Sequence, residues 1–412
     1  MRVKSVVVLL IVVLLFSCFE NEKKTNQVVE SVVNSPEAFT LEFAIGGAED
    51  KNSEEFLLAE PQIVEVKYNG DILVIDENRI KVFDSQGNEK IIVGRRGEGP
   101  GEFGSRFVPY ISPSGYLVAA DVNGLGTGQM VFYGGSSSSN HYNLFAPDYS
   151  FIEKVRIGNN NRINKYLEVH DFELENMRRI TKFVPLDRDK LLFEAVFEKI
   201  ESGREPQYYQ RVLYDNGSTI TQILEKELLV MYGSTKYPEG ELHWKVLPGN
   251  RIFYQNANED IFDLEKGSYY TIHILSFEDG KDISGTREFT QVEFPEKMTT
   301  APARKGNPGD QLKIDKARVY KEKKYYAAVE IVKVDGRYAF IFLNQLPESI
   351  QRNPLRVPAE IFDLENCQFL TTIEFPFYPY VIRNGYAFNK TIDEDGFPVI
   401  QKYRINPSVY GK

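Results

Sequence analysis

One stretch constrains the fold more than any other: QIVEVKYNGDILVIDENRIKVFDSQGNEKIIVG, Gln62 to Gly94. It reads as four short β-type runs, Ile63–Val66, Ile72–Ile75, Ile80–Phe83 and Lys90–Val93, separated by YNGD, DEN and DSQGN. Asn-Gly and Ser-x-Gly-Asn between β-branched runs are strong hairpin signals. Four antiparallel strands in a meander form one blade of a propeller.

The pattern recurs with drift. Val108–Asp121 repeats strand, Ser-Gly turn and strand, and Tyr142–Gly158 supplies the matching outer hairpin. Phe183–Leu224, Trp244–Ile283 and Glu330–Phe375 are further units, while Gly124–Asn143 departs as an insertion. The last unit, Tyr380–Ile405, lacks one strand, and Phe39–Ile45 is a spare strand at the other end. Joining the two completes a sixth blade and removes the open edges that invite aggregation. The expectation is an all-β chain, a six-bladed β-propeller of four-stranded antiparallel blades over residues 39–412, closed by the N-terminal strand. A β-sandwich gives no reason for strands to come in fours.

Ahead of that body, Arg2 and Lys4 precede an apolar run, Val6–Phe16, which a cysteine closes. The run is shorter than the ~20 apolar residues that span a bilayer and has the layout of a secretory signal. Leu15-Phe16-Ser17-Cys18 resembles a lipobox, so residues 1–17 read as a lipoprotein signal peptide and Cys18 as the lipidation site. Residues 18–38 are mostly polar and read as a tether. Acyl chains anchor by about 0.8 kcal/mol per buried CH₂, so the expected membrane partner is met through lipid alone. Cys367 is the other cysteine, and with Cys18 acylated no intramolecular disulfide forms. The body must then hold by burial, for which 42% hydrophobic and 13% aromatic residues suffice. A net charge of −10 argues against nucleic acid as a partner.

The glycine-rich segment VGRRGEGPGEF, Val93–Phe103, raises the question of a phosphate loop. Gly94, Gly97, Gly99 and Gly101 match neither the dinucleotide nor the P-loop spacing. Pro109 and Pro113 also exclude a following helix whose N-terminus would meet an anion. The segment reads as a corner between the first two blades, with Gly99 and Gly101 supplying positive φ. Phe83–Asp121, with its Phe-Asp-x-x-Gly hairpin and G-x-G-P-G-E-F corner, resembles NHL-type repeats. It is similar to the six-bladed propeller lipoproteins of Bacteroidetes, a TolB-like group, and Glu20 and Glu22 resemble the acidic export signals of such surface lipoproteins. The resemblance implies the fold and an outer-membrane lipoprotein of the cell envelope, periplasmic or surface-exposed. It does not imply an activity.

The candidate binding residues are Arg95, Arg96 and Arg106 around the corner and His243-Trp244 at the start of an inner strand. Arg95, Arg96 and Arg106 can equally pair with Glu98 and Glu102. The four histidines show no zinc spacing, and no G-x-S-x-G elbow is present. Cys367 reads as a mid-strand thiol of the core or an edge. Asp76, Asp84, Asp121, Asp263 and Asp363 at strand ends read as turn closers. Phe375–Tyr386 reads as blade core, or as an aromatic platform for carbohydrate. The leading expectation is a binding or scaffold module for a protein, peptide or carbohydrate, with no catalytic residue, metal or cofactor. The alternative is a lactonase- or lyase-like enzyme holding Ca²⁺ or Zn²⁺ in the central channel. Replacing Cys18 with Ser should move the protein from the membrane to the soluble fraction; a variant that still sediments with membranes overturns the lipid anchor.

Overall fold

Strands dominate the computed structural model, which describes residues 32–33, 38–48, 52–104, 107–121, 141–156, 175–204, 206–228, 242–263, 265–301, 308–345 and 356–411. The first blade is the meander β3 (Ile63–Val66), β4 (Ile72–Asp76), β5 (Arg79–Phe83) and β6 (Glu89–Val93). The second is β7 (Phe107–Ile111), β8 (Leu117–Asp121), β9 (His141–Phe145) and β10 (Phe151–Arg156). The third is β11 (Glu175–Pro185), β12 (Leu191–Lys199), β13 (Gln207–Asp215) and β14 (Ile220–Leu228). The fourth is β15 (Leu242–Leu247), β16 (Arg251–Asn256), β17 (Ser268–Ser276) and β18 (Asp282–Phe289).

In the fifth blade, β19 (Val329–Asp335), β20 (Tyr338–Leu343), β21 (Val357–Asp363) and β22 (Gln368–Phe375) carry a short parallel addition, β1 (Val32–Val33), on β22. The sixth joins β23 (Val381–Arg383), β24 (Tyr386–Ile392) and β25 (Pro398–Ile405) to β2 (Phe39–Gly46), antiparallel to β25. The chain is therefore a six-bladed propeller of four-stranded antiparallel sheets closed by its N-terminal strand. Residues 1–31, including Cys18, and residues 122–140 of the insertion lie outside the described residues.

Local chemistry explains the elements. Middle strands such as β4 are buried at every position, because both faces pack against neighbouring blades. Outer strands such as β18 alternate exposed and half-buried positions. Glu77 (φ 53°) and Asn78 (φ 60°) make the two-residue turn between β4 and β5, and Asn384-Gly385 that between β23 and β24. Positive φ at both central residues matches the twist of the flanking strands. Six apolar clusters fill the six seams. One joins Val118 and Leu144 to Phe183 and Phe193, and another joins Phe388 and Ile400 to Val64 and Val74 across the closure.

Three features depart from the sequence reading. A helix, α1 (Glu296–Thr299), precedes a longer one, α2 (Pro308–Lys323), between the fourth and fifth blades. Cys367 is not mid-strand; it sits at φ 53° in the turn between β21 and β22. Its thiol is buried and free, and burial pushes it up to about 12. The third departure concerns the glycine corner, where φ is positive at Gly94 (70°) and Gly101 (72°) but not at Gly97 or Gly99. The corner closes on itself: Phe103 N–H donates to Arg95 O at 2.8 Å and Gly97 N–H to Phe103 O at 2.8 Å. A Cβ on Gly97 would lie 2.0 Å from Glu102 Oε2, whereas one on Gly94 would lie 2.2 Å from the Phe103 ring. Gly94 thus carries both a positive φ and a close approach, so Gly94→Ala should cost more than about 1 kcal/mol in denaturant unfolding. Gly99→Ala, free of positive φ, should cost less; the reverse order would refute this account of the corner.

Candidate functional site

The inner strands β3, β7, β11, β15, β19 and β23 stand around the axis, and side-chain alternation decides what each shows the channel. In β3, Val64 and Val66 turn into a blade seam while Glu65 faces the cavity. In β15, Trp244 is buried in the seam and Lys245 faces the cavity. In β19, Val332 and Val334 pack in the core cluster around cavity-lining Lys333. Lys182 from β11 and Arg383 from β23 complete the charged ring, with Tyr68, Tyr110 and Tyr380 between them. The cavity measures about 100 Å³. Its charged residues lie in the second half of the longer inner strands, toward the turns that lead outward.

Four cations therefore meet one carboxylate. Lys182 Nζ donates to Trp244 O at 2.7 Å and sits 3.6 Å above the Trp244 ring. The ring is fixed in turn by its own Nε1–H, which donates to Glu194 Oε2 at 2.6 Å. Lys333 Nζ donates to Tyr380 O at 2.7 Å. The Arg383 guanidinium lies 4.2 Å from the centre of the Tyr68 ring, and its Nε and Nη1 are buried without a hydrogen-bond partner. Lys245 is exposed to solvent within the channel. Desolvation by the channel walls pushes its ammonium below the usual lysine range; Glu65 opposes the shift and Arg383 adds to it. Burial, reinforced by Lys245, pushes Lys333 down to about 8.

The residues singled out from the sequence lie elsewhere or point elsewhere. Arg95 is exposed and pairs with Glu102, Nε to Oε1 at 2.8 Å. Arg96 bridges Phe103 through its backbone. Arg106 is outside the described residues. His243 is half-buried on β15, and Trp244 supports Lys182 from within the seam. Gly99 N–H donates to Glu102 Oε2 at 2.9 Å, and this bond, with Arg95, holds the Glu102 carboxyl below its usual range. The corner thus supplies its own anion.

Among the strand-end acids, Asp84, Asp263 and Asp363 accept hydrogen bonds from N–H groups two to four residues on. Asp76 instead reaches Ala59 N and Glu60 N and pairs with buried Lys81. His273 bridges Glu259 and Asp282 at 2.8 and 3.0 Å and stacks on Tyr254. No group of three or more His, Cys, Asp or Glu among the described residues is arranged to hold a metal ion.

The channel charges escaped the sequence reading although a signal was present. Glu65, Lys182, Lys245, Lys333 and Arg383 occupy comparable places in five inner strands. Each looks alone like an ordinary charged strand residue.

No protein-family model matches the sequence, and no curated protein matches it. Among solved structures, the chain is similar to a Bacteroides fragilis protein assigned as exported, at 14% identity and a TM-score of 0.50, over 92% of this chain and 98% of that one. It is also similar to a gluconolactonase of Xanthomonas campestris at 10% identity and a TM-score of 0.34, over 84% and 87% of the two chains. The likeness to the first shows the propeller fold.

The charge of Lys333 has a thermodynamic signature. The unfolded chain keeps that proton up to the ordinary 10.5 and the folded chain only to about 8. The charged group therefore costs stability below pH 8, and the cost fades as pH rises from 8 to 10.5. Lys333→Met should raise the melting temperature at pH 7, with the gain shrinking toward pH 10; a gain independent of pH would show that charge is not its cause.

Proposed function

We propose that the chain is a lipid-anchored binding module of the cell envelope whose ligand is anionic and enters the central channel. One observation carries the reading: four cations and a single carboxylate converge on one cavity in a protein whose net charge is −10. Gathering like charges behind low-dielectric walls costs free energy, and a bound anion offsets it. The buried, unpartnered Nε and Nη1 of Arg383 are donors suited to an oxyanion. The metal-enzyme alternative needs carboxylates, histidines or carbonyls around a divalent cation. The described channel wall, with Glu65 among four cations, does not fit Ca²⁺ or Zn²⁺. The anchor at Cys18 and the envelope location rest on the signal segment and on the lipoprotein resemblance.

Thermal unfolding at low ionic strength tests the anion reading. Phosphate, sulfate and citrate should each be tried, since a ligand at 100 times its Kd adds about 2.7 kcal/mol. A saturable rise is expected in the wild type and in Arg95→Ala plus Arg96→Ala, whereas Lys245→Met plus Lys333→Met should remove it. The reading fails if no anion shifts the wild type or if the lysine double variant keeps the whole rise.

A further inference from the structure

Lys245 differs from the other channel cations in having nothing to hold. Lys182 and Lys333 each donate to a backbone carbonyl, and Arg383 lies on the Tyr68 ring. Among the described residues, Lys245 makes no hydrogen bond or ion pair. It is a solvent-exposed, unengaged amine in the channel cavity that Arg383, Lys333 and Glu65 also line. A lysine set among other cations spends more time as the neutral amine, the form that attacks carbonyl carbon.

We infer that Lys245 captures small 2-oxo acids as a reversible imine, with Arg383 receiving the carboxylate and Glu65 relaying the proton. The inference rests on the anionic-ligand reading above and adds covalent chemistry to it. The Nζ lone pair forms a bond to the carbonyl carbon as the C=O π pair moves onto oxygen. Glu65 takes a proton from nitrogen and returns it to that oxygen, giving the carbinolamine. The second N–H proton follows the same route as the C–O bond breaks, and water leaves with the C=N bond formed. Atoms balance with no oxidant, reductant or co-reactant. The cavity of about 100 Å³ is well above the roughly 10–15 Å³ that admits a single water, so a compact oxo acid has room at Lys245.

Borohydride reduction traps the imine. Full-length protein in detergent is incubated with pyruvate or glyoxylate, reduced, digested and mapped by mass spectrometry. The expected result is one saturable adduct per chain, located at Lys245 and suppressed by phosphate. Lys245→Arg should lose the adduct while retaining the phosphate-induced rise in melting temperature, which shows that the variant is folded and its channel still cationic. Arg383→Gln should raise the oxo acid concentration for half-labelling by about tenfold or more, the loss of one charge-assisted contact. Labelling scattered over surface lysines, or undiminished in Lys245→Arg, overturns the inference. Absence of an adduct alongside an intact anion effect overturns the imine and leaves the anion reading standing; absence of both overturns the two together.

Discussion

The pairing of β2 with β25 is the constraint on which the rest depends. Phe39 lies opposite Ile405 and Gly46 opposite Val399, so β2, which precedes the first blade in the chain, completes the last. Without it β25 would present an open edge. The seam that Ile45 shares with Phe388, Ile400 and Val64 would lose one wall. Charge supports the join: Glu42 pairs with Arg404 and Lys402, and these two hold its carboxyl below the usual range although burial pulls the other way. Joining chain ends this far apart costs little more than joining nearer ones, because loop entropy grows only with the logarithm of length.

Closure forces the inner strands into a ring and brings their charges together. Two buried carboxylates in the blades show how this chain can compensate buried charge. Lys81 and Asp76 are both fully buried, 2.7 Å apart, and Asp76 also receives Ala59 N–H and Glu60 N–H. Asp335 receives Asn384 N–H, Gly385 N–H and the Tyr410 hydroxyl. Such groups are compensated on every side, and removing one partner of a buried pair typically costs about 3–5 kcal/mol. The channel departs from that habit. Arg383 has unfilled donors and Lys245 has no partner among the described residues. Four cations around one cavity, with unfilled donors on Arg383, mark the channel, unlike the paired ions of the blades, as the place suited to an added anion.

The glycine corner shows the opposite logic. Its free N–H groups resemble an anion cradle, but Glu102 reaches back to Gly99 and Arg95 and fills it from within. Phe103 then packs beneath Gly94 against Phe107 and Phe145. A glycine-rich loop is thereby made into a rigid link between blades, and the arginine at its edge is spent on an internal carboxylate.

Blade number, strand pairing and closure were legible in the sequence because each is written in local signals. Asn-Gly turns and alternating apolar runs act over a few residues, and a missing strand at one end matches a spare strand at the other. The Cys367 turn was missed because φ 53° at a non-glycine residue is held by its packing, against Gly285 and the Ile283 carbonyl. The helix α2 was missed because little apolar periodicity marks it in a chain otherwise made of strands. His273 was passed over because its partners Glu259 and Asp282 lie 14 and 9 residues away. The candidate site was hidden for a deeper reason. Glu65 and Arg383 are more than 300 positions apart, and nothing within one strand says which face turns to the axis or what the other five present there. The sequence by itself determined a ring of four-stranded units; only the closed ring decided that Lys182, Lys245, Lys333 and Arg383 share one cavity, since convergence on an axis belongs to the assembled circle and to no segment of it.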